Sequence, residues 1–320
     1  MFPFTNVLDL VEIANKTLHR MKKILITGSN GLLGQKLIEK ILREGRAELL
    51  ATSRGKNRYP VTDGYEYEEM DILDTDQMSK VIGGFKPDAI IHTAAMTNVD
   101  TAQIEKNLSY DLNVTAVQHL LSLCERWDIQ LISLSTDFVF DGLKGMYHEH
   151  DTVGPVSYYG ETKVLGEELL KKSSARWVVV RTILVYGITH DMSRSNIVLW
   201  AKSALEKGLP ISVVNDQWRM PTLAEDLAEA CILAVERDAR GIYHICGKDY
   251  MSIANLVRKV ADYWSLDQSV ITEVSSEDLN QNARRPLKTG FVLDRAIKDL
   301  GYSPHSFNEG LGILDEQLKK

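Results

Sequence analysis

Ile24-Leu25-Ile26-Thr27-Gly28-Ser29-Asn30-Gly31-Leu32-Leu33-Gly34 runs an apolar strand straight into a turn with glycine at every third position, and a helix is expected over Leu32–Glu44. Strand, glycine turn and helix in that order form a setting for phosphate. The glycines allow a tight turn, close approach of backbone to a diphosphate and close packing of helix on strand, while the helix N-terminus favours an anion. All seven residues from Gly28 to Gly34, namely Gly28, Ser29, Asn30, Gly31, Leu32, Leu33 and Gly34, are candidate cofactor contacts.

Outward from this turn, strand and helix patterns alternate, as in a parallel sheet covered on both faces. Strands are expected at Lys23–Thr27, Glu48–Ser53, Ala89–His92, Gln130–Ser135 and Trp177–Val185, with an extended segment at Tyr65–Met70. Helices are expected at Asp74–Gly83, Tyr110–Trp127 and Tyr159–Lys172. The regularity then breaks: Ser193–Lys207, Leu223–Glu236 and Ile253–Trp264 read as helical, Ile211–Val214 and Gly241–Cys246 as extended. The fold class is therefore α/β, a Rossmann-type doubly wound parallel sheet with a smaller, partly interleaved C-terminal substrate domain. Residues 21–187 form the nucleotide-binding domain, with 223–247 packing back on it, and 188–320 are mainly substrate-binding. Residues 1–20 read as an N-terminal extension, either a peripheral helix over Val7–Leu18 or an over-extended reading frame ahead of Met21.

The carboxyl ends of the expected strands collect the remaining candidates, because ligands of open α/β sheets lie there. The second strand ends at Ser53 without an acidic residue for a ribose hydroxyl, and Arg54, Lys56 and Arg58 follow, cations that suit a 2′-phosphate. NADP(H) is preferred on this ground, with NAD(H) possible. Asp71-Ile72 would set a carboxylate on the adenine amino group, Ala94-Ala95-Met96 offer small residues beside a cofactor, and His92 reads as filling space at the sheet end.

Ser135-Thr136-Asp137 closes a later strand, so that a hydroxyl there would hydrogen-bond a substrate carbonyl. Tyr159 and Lys163 stand four residues apart on one helix face. Free tyrosine ionises near 10, and an adjacent cation would tune it for proton exchange at neutral pH. Each motif alone recurs by chance, Ser-Thr-Asp as a turn and Tyr-x-x-x-Lys on solvated helices. Their succession after the glycine turn is far less common.

Composition narrows the partners. Among 320 residues, 44% are hydrophobic and the formal net charge is -7, which gives no field for nucleic acid. No apolar run approaches the roughly 20 residues of a membrane helix. Cys124, Cys231 and Cys246 stand singly in apolar surroundings, as expected of structural thiols in the cytoplasm. The eight histidines form no ligand-spaced pair, so no metal is expected. The helix faces Tyr110–Leu121 and Val164–Leu170 are the ones a homodimer would use, although apolar stripes more often serve the core.

Together these motifs resemble the extended short-chain dehydrogenase/reductases, and most closely the dTDP-4-dehydrorhamnose reductase family. The glycine spacing and Tyr-x-x-x-Lys belong to the wider group. The narrower marks are Ser135 to Gly142, Tyr147-His148-Glu149, Tyr159 to Glu167, Arg181-Thr182, Val185-Tyr186-Gly187, Asp216-Gln217 with Pro221-Thr222, Asp226-Leu227-Ala228 and Arg285-Pro286. The resemblance implies reduction of the 4-keto group of a nucleotide-activated deoxysugar. It makes Thr136, Tyr159 and Lys163 catalytic: Thr136 on the sugar carbonyl, Tyr159 as proton donor, Lys163 on the nicotinamide ribose while lowering the Tyr159 pKa. Ser135 would join the cofactor contacts, and Thr97, Val99, Asp137, Phe138, Leu184 and Arg285 the substrate contacts. Two positions depart from the family where substrate is expected, Leu184 in place of a tryptophan and Arg219 in place of a glycine. An epimerase or dehydratase that retains NAD, and a regulatory subunit like that of methionine adenosyltransferase, share much of this pattern.

Overall fold

The computed structural model describes residues 21–192, 195–279 and 281–319, so the expected extension 1–20 lies outside the described residues. Seven strands make one parallel sheet: β1 (Lys22–Thr27), β2 (Ala47–Ser53), β3 (Glu66–Glu69), β4 (Ala89–His92), β5 (Gln130–Thr136), β6 (Trp177–Thr182) and β7 (Gly241–Ile245). Their order is β7-β6-β5-β4-β1-β2-β3, and every neighbouring pair is parallel. This is a Rossmann-type doubly wound sheet, and its winding reverses between β1 and β4. The edge strand β3, Glu-Tyr-Glu-Glu, carries charge that discourages further strand addition.

The apolar runs of the strands follow from burial on both faces. Ile24 and Ile26 of β1 join one core with Ile91, Val178 and Val180, packed under α1 (Leu32–Glu44) and a later helix, Ala224–Glu236. Leu25 points the other way and joins Leu50, Ile90, Leu131 and Val179 beneath α2 (Thr75–Phe85) and α3 (Ala116–Trp127). α4 (Tyr158–Lys172) adds Leu170 to this second core.

Beyond β6 the chain builds a smaller unit around α5 (Ile197–Glu206), α6 (Ala224–Glu236), α7 (Ile253–Tyr263) and α8 (Phe307–Leu318). α5, α7 and α8 share a third core with a parallel pair, Ile211–Val214 beside Ile271–Val274. α6 instead returns to α1, where Lys40 and Arg46 both reach Glu229, and β7 rejoins the sheet beside β6. The two units are thus interleaved.

Two expected elements differ. The strand expected to Val185 ends at Thr182, because Leu184 adopts a left-handed φ of 43° that a ladder cannot accommodate, and only Val185–Tyr186 resumes pairing. The helix expected over Tyr110–Trp127 is interrupted by a π-helical turn at Asp111–Thr115. That turn sends Asn113 inward, where its amide binds both backbone groups of Met96 and the Thr162 hydroxyl. The helix expected from Ser193 starts at Ile197, Ser193 itself lying outside the described residues. Among the described residues no helix is long and apolar enough to cross a membrane, and no cluster of His, Cys, Asp or Glu is placed to hold a metal ion. All three cysteines are buried thiols.

Candidate active site

The glycine turn lies at the switch point. Gly28 has φ +72°, and a Cβ there would stand 2.7 Å from the Ala94 amide nitrogen, so β1 and the loop after β4 meet with no room for a side chain. At Gly34 a Cβ would lie 2.5 Å from Ser29 Cα, which explains the tight seat of α1 on its strand. Gly31 is different: it caps α1 without a side-chain hydrogen bond and meets only the Gly28 carbonyl oxygen within 4 Å. First-turn amides of a helix lack intrahelical partners, and here no side chain caps them. The buried Ser29 hydroxyl also has no hydrogen-bond partner. An uncapped helix end beside an unsatisfied hydroxyl fits a diphosphate.

Asn30 ties the basic loop to this turn, since its Nδ2 donates to the Lys56 carbonyl at 2.9 Å and its Oδ1 accepts from the Arg58 amide at 2.9 Å. Arg54, Lys56 and Arg58 all stand exposed beyond it. Ser53 ends β2, where its carbonyl accepts from the Met70 amide. Asp71 is half-buried past β3 and caps the Leu73 amide, while Ile72 enters the second core. Ala94 and Met96 pack against that core, with Ala95 half-buried between them.

β5 and α4 bring the candidate catalytic groups together. Ser157 caps α4 by accepting from the Gly160 amide, which places Tyr159 in the first turn. A Cβ on Gly160 would stand 2.3 Å from the Phe138 carbonyl oxygen, so this glycine lets α4 sit directly on the turn after β5. The Thr136 hydroxyl lies beside the Tyr159 phenol, near enough to act on its ionisation, and the Phe138 ring meets the phenol ring edge-on at 5.7 Å. The same Thr136 Oγ1 donates to Asp137 Oδ1 at 3.1 Å and accepts from the Phe138 amide at 3.2 Å.

Burial dominates the electrostatics. It pushes the Tyr159 phenol well above its ordinary value, against the neighbouring Thr136 hydroxyl and with help from the Asp137 charge. The phenol is therefore held protonated across the neutral range, as a proton donor must be. Lys163 is itself pulled down to about 8 by burial, opposed by Glu167. Its charge acts on His92, which burial and Lys163 together hold neutral at about 3, hydrogen-bonded to Thr27. The Ser135 hydroxyl donates its proton inward to Glu167 Oε1 at 2.6 Å, so it could meet a ligand only as an acceptor.

On the substrate side the structure redirects two arginines. Arg285, expected on a diphosphate-sugar, donates to Asp100 at 2.6 Å, an acid of the short helix Val99–Ile104. Arg219, expected where substrate lies, is buried: its guanidinium donates to the carbonyls of Trp218, Pro286 and Leu287 and faces Asp137 at 3.4 Å. Asp137 also accepts from Thr289. Thr97 is exposed and Val99 half-buried at the rim, while half-buried Leu184 packs between the third core and a fourth around Phe140 and Phe291. Sequence reasoning assigned no role to Asn113, Asp100, Glu167 or Arg181. Only Glu167 carried a positional signal, one turn beyond Lys163 on the same face.

A family model described as RmlD substrate binding domain matches residues 21–319. The chain is 30% identical to a dTDP-4-dehydrorhamnose reductase of Aggregatibacter actinomycetemcomitans, over 91% of this chain and 97% of that one. It is 28% identical to methionine adenosyltransferase 2 subunit beta of Xenopus laevis, over 82% and 78%. Among solved structures it resembles the Bacillus anthracis dTDP-4-dehydrorhamnose reductase in complex with NADP, with a TM-score of 0.80, 26% identity and coverage of 93% and 100%.

Proposed function

Since the chain belongs to the RmlD substrate binding domain family, we propose that it is an NAD(P)H-dependent oxidoreductase that reduces the 4-keto group of a nucleotide-activated deoxysugar. The observation that carries this reading is a buried, protonated phenol beside a threonine at the carboxyl end of β5, together with an uncapped glycine turn at the carboxyl end of β1.

Gly28, Ser29, Asn30, Gly31, Leu32, Leu33 and Gly34 would hold the diphosphate, Ser53, Arg54, Asp71 and Ile72 the adenosine end, and Ala94, Ala95 and Met96 the cofactor's path past β4. Lys163 would hold the nicotinamide ribose. A bound reduced nicotinamide supplies hydride for the carbonyl carbon. The protein's part is the proton: as negative charge grows on the ketone oxygen, Tyr159 Oη donates to it, so that hydride and proton together complete the alcohol. Thr136 orients that oxygen against the phenol. Its single hydroxyl proton is bound to Asp137 in the structure, and turning it to the substrate requires breaking a bond of 3.1 Å. Water exclusion by Phe138 raises the value of each such contact. Residues 188–320, apart from α6 and β7, would then serve as the substrate-binding unit, and Thr97, Val99, Phe138 and Leu184 would line the sugar.

NADPH is the favoured cofactor because Arg54 and Lys56 crown the end of β2. Replacing both by Ser should raise the KM for NADPH about tenfold or more and leave that for NADH within about twofold, a phosphate–guanidinium pair being worth roughly 1.5–3 kcal/mol. Equal changes for the two cofactors would refute the phosphate role. The likeness to a methionine adenosyltransferase subunit supports a second reading, a binding subunit that keeps the pocket. A stable complex with such a synthetase and no turnover of any nucleotide-sugar ketone would decide for it.

A further inference from the structure

We propose that Glu167 is a positioning residue for Lys163, a fixed counter-ion behind the active site that keeps the lysine charged and aimed at the crevice. This rests on the reading of Lys163 as a site residue.

Lys163 and Glu167 are one turn apart on the inward face of α4, and both are buried. They line a cavity of about one water's size together with Asn113, Ser133 and Ser135 on one side and the apolar Val117, Leu134, Leu170 and Val179 on the other. Glu167 cannot swing to meet the lysine. Arg181 grips it with a two-pronged bond, Nε to Oε1 at 2.9 Å and Nη2 to Oε2 at 2.6 Å, and Ser135 donates to Oε1. Arg181 is pinned in turn by the Glu149 carbonyl at 3.2 Å, by His244 at 3.4 Å and by the Phe140 ring at 5.0 Å. The carboxylate is therefore held still, and its charge acts on the lysine with which it lines the cavity.

The charge count gives the arrangement its meaning. Around Lys163, Glu167 is the one anion in the cavity lining: His92 from β4 is neutral, Tyr159 is protonated, and Ser133, Ser135 and Asn113 are uncharged, while Glu149 and Asp151 lie on the far side, about Arg181 and His244. The donors and acceptors of Asn113, Ser133 and Ser135 in the cavity wall suit a bridging water between ammonium and carboxylate. Without Glu167, Lys163 would be a buried cation beside another, and losing its proton would be the cheapest relief.

The test is the titration of Lys163 in the cofactor-free protein, followed by NMR with 15Nζ-lysine and assigned by the signal lost in Lys163→Met. In the wild type the midpoint should fall near about 8. In Glu167→Gln it should drop by about one unit or more, the shift a buried charge at this range exerts, and Glu167→Asp should recover most of it. Should Glu167→Gln not fold because Arg181 is left unpaired, Glu167→Met with Arg181→Met removes the pair together. Arg181 does not line the cavity, so the loss of Glu167 still dominates and the midpoint again falls, by less. An unchanged midpoint in the variant that folds overturns the proposal. Because no substrate or cofactor is present, the result stands whether or not a sugar ketone is ever turned over, and a failed turnover assay would count against the function alone.

Discussion

Tyr159→Phe should lower the rate of ketone reduction by about a hundred- to ten-thousand-fold, the range that a positioned general acid contributes, while leaving cofactor affinity within about twofold. The physical basis is the state of the phenol. Buried beside Thr136, it keeps its proton far above neutral pH, so the resting enzyme carries the proton that the alcohol needs. Phenylalanine keeps the ring, its edge contact with Phe138 and its place in the first turn of α4, and removes only the proton. Steady-state rates measured beside the affinity for NADPH separate the two effects. Full activity in Tyr159→Phe would mean that the proton comes from elsewhere.

The second large effect concerns stability. Arg219→Ala should destabilise the fold by about 3–5 kcal/mol, the cost of breaking a buried pair from one side. Its guanidinium gathers the carbonyls of Trp218, Pro286 and Leu287 and faces Asp137, whose carboxyl is already pushed up by burial and held down chiefly by Arg219. Removing the arginine takes away the counter-charge of Asp137 and a donor from each of three carbonyls at once. Arg285→Ala makes the contrast: its pair with Asp100 is at the rim, with side chains 19% and 35% exposed, and such pairs contribute about 1 kcal/mol or less. Denaturant melts of the two variants compare the costs directly. Equal losses would show that burial does not set the value of these arginines.

The parts of the molecule legible in the sequence are those set by local spacing. Leu32–Glu44 and Ala89–His92 fall on the residues expected, because an apolar run bounded by glycine or by a capping sequence needs no distant partner to be read. The places of Tyr159, Lys163 and Thr136 were legible for a like reason, Thr136 closing β5 and the other two lying one turn apart on α4. What a guanidinium binds is a tertiary matter, so nothing local distinguishes Arg219, turned into the protein, from Arg285, paired at the rim. The π-helical turn at Asp111–Thr115 was hidden as well, its cause being the reach of Asn113 to Met96 and Thr162. α8 was hidden by its glycines. Gly310 is there because a Cβ would stand 2.0 Å from the Tyr186 hydroxyl oxygen, a contact made with a residue more than a hundred positions earlier.

The most direct measurement is deuterium transfer from NADPH labelled at the hydride position of nicotinamide C4 to a nucleotide-activated 4-ketosugar, read by mass spectrometry and NMR of the product. One deuterium on the former carbonyl carbon, with one NADPH oxidised per alcohol formed and label incorporation slowed about a hundred- to ten-thousand-fold in Tyr159→Phe, is the predicted result. An unreduced sugar, or one epimerised or dehydrated without label while NADPH is left intact, contradicts the reductase assignment.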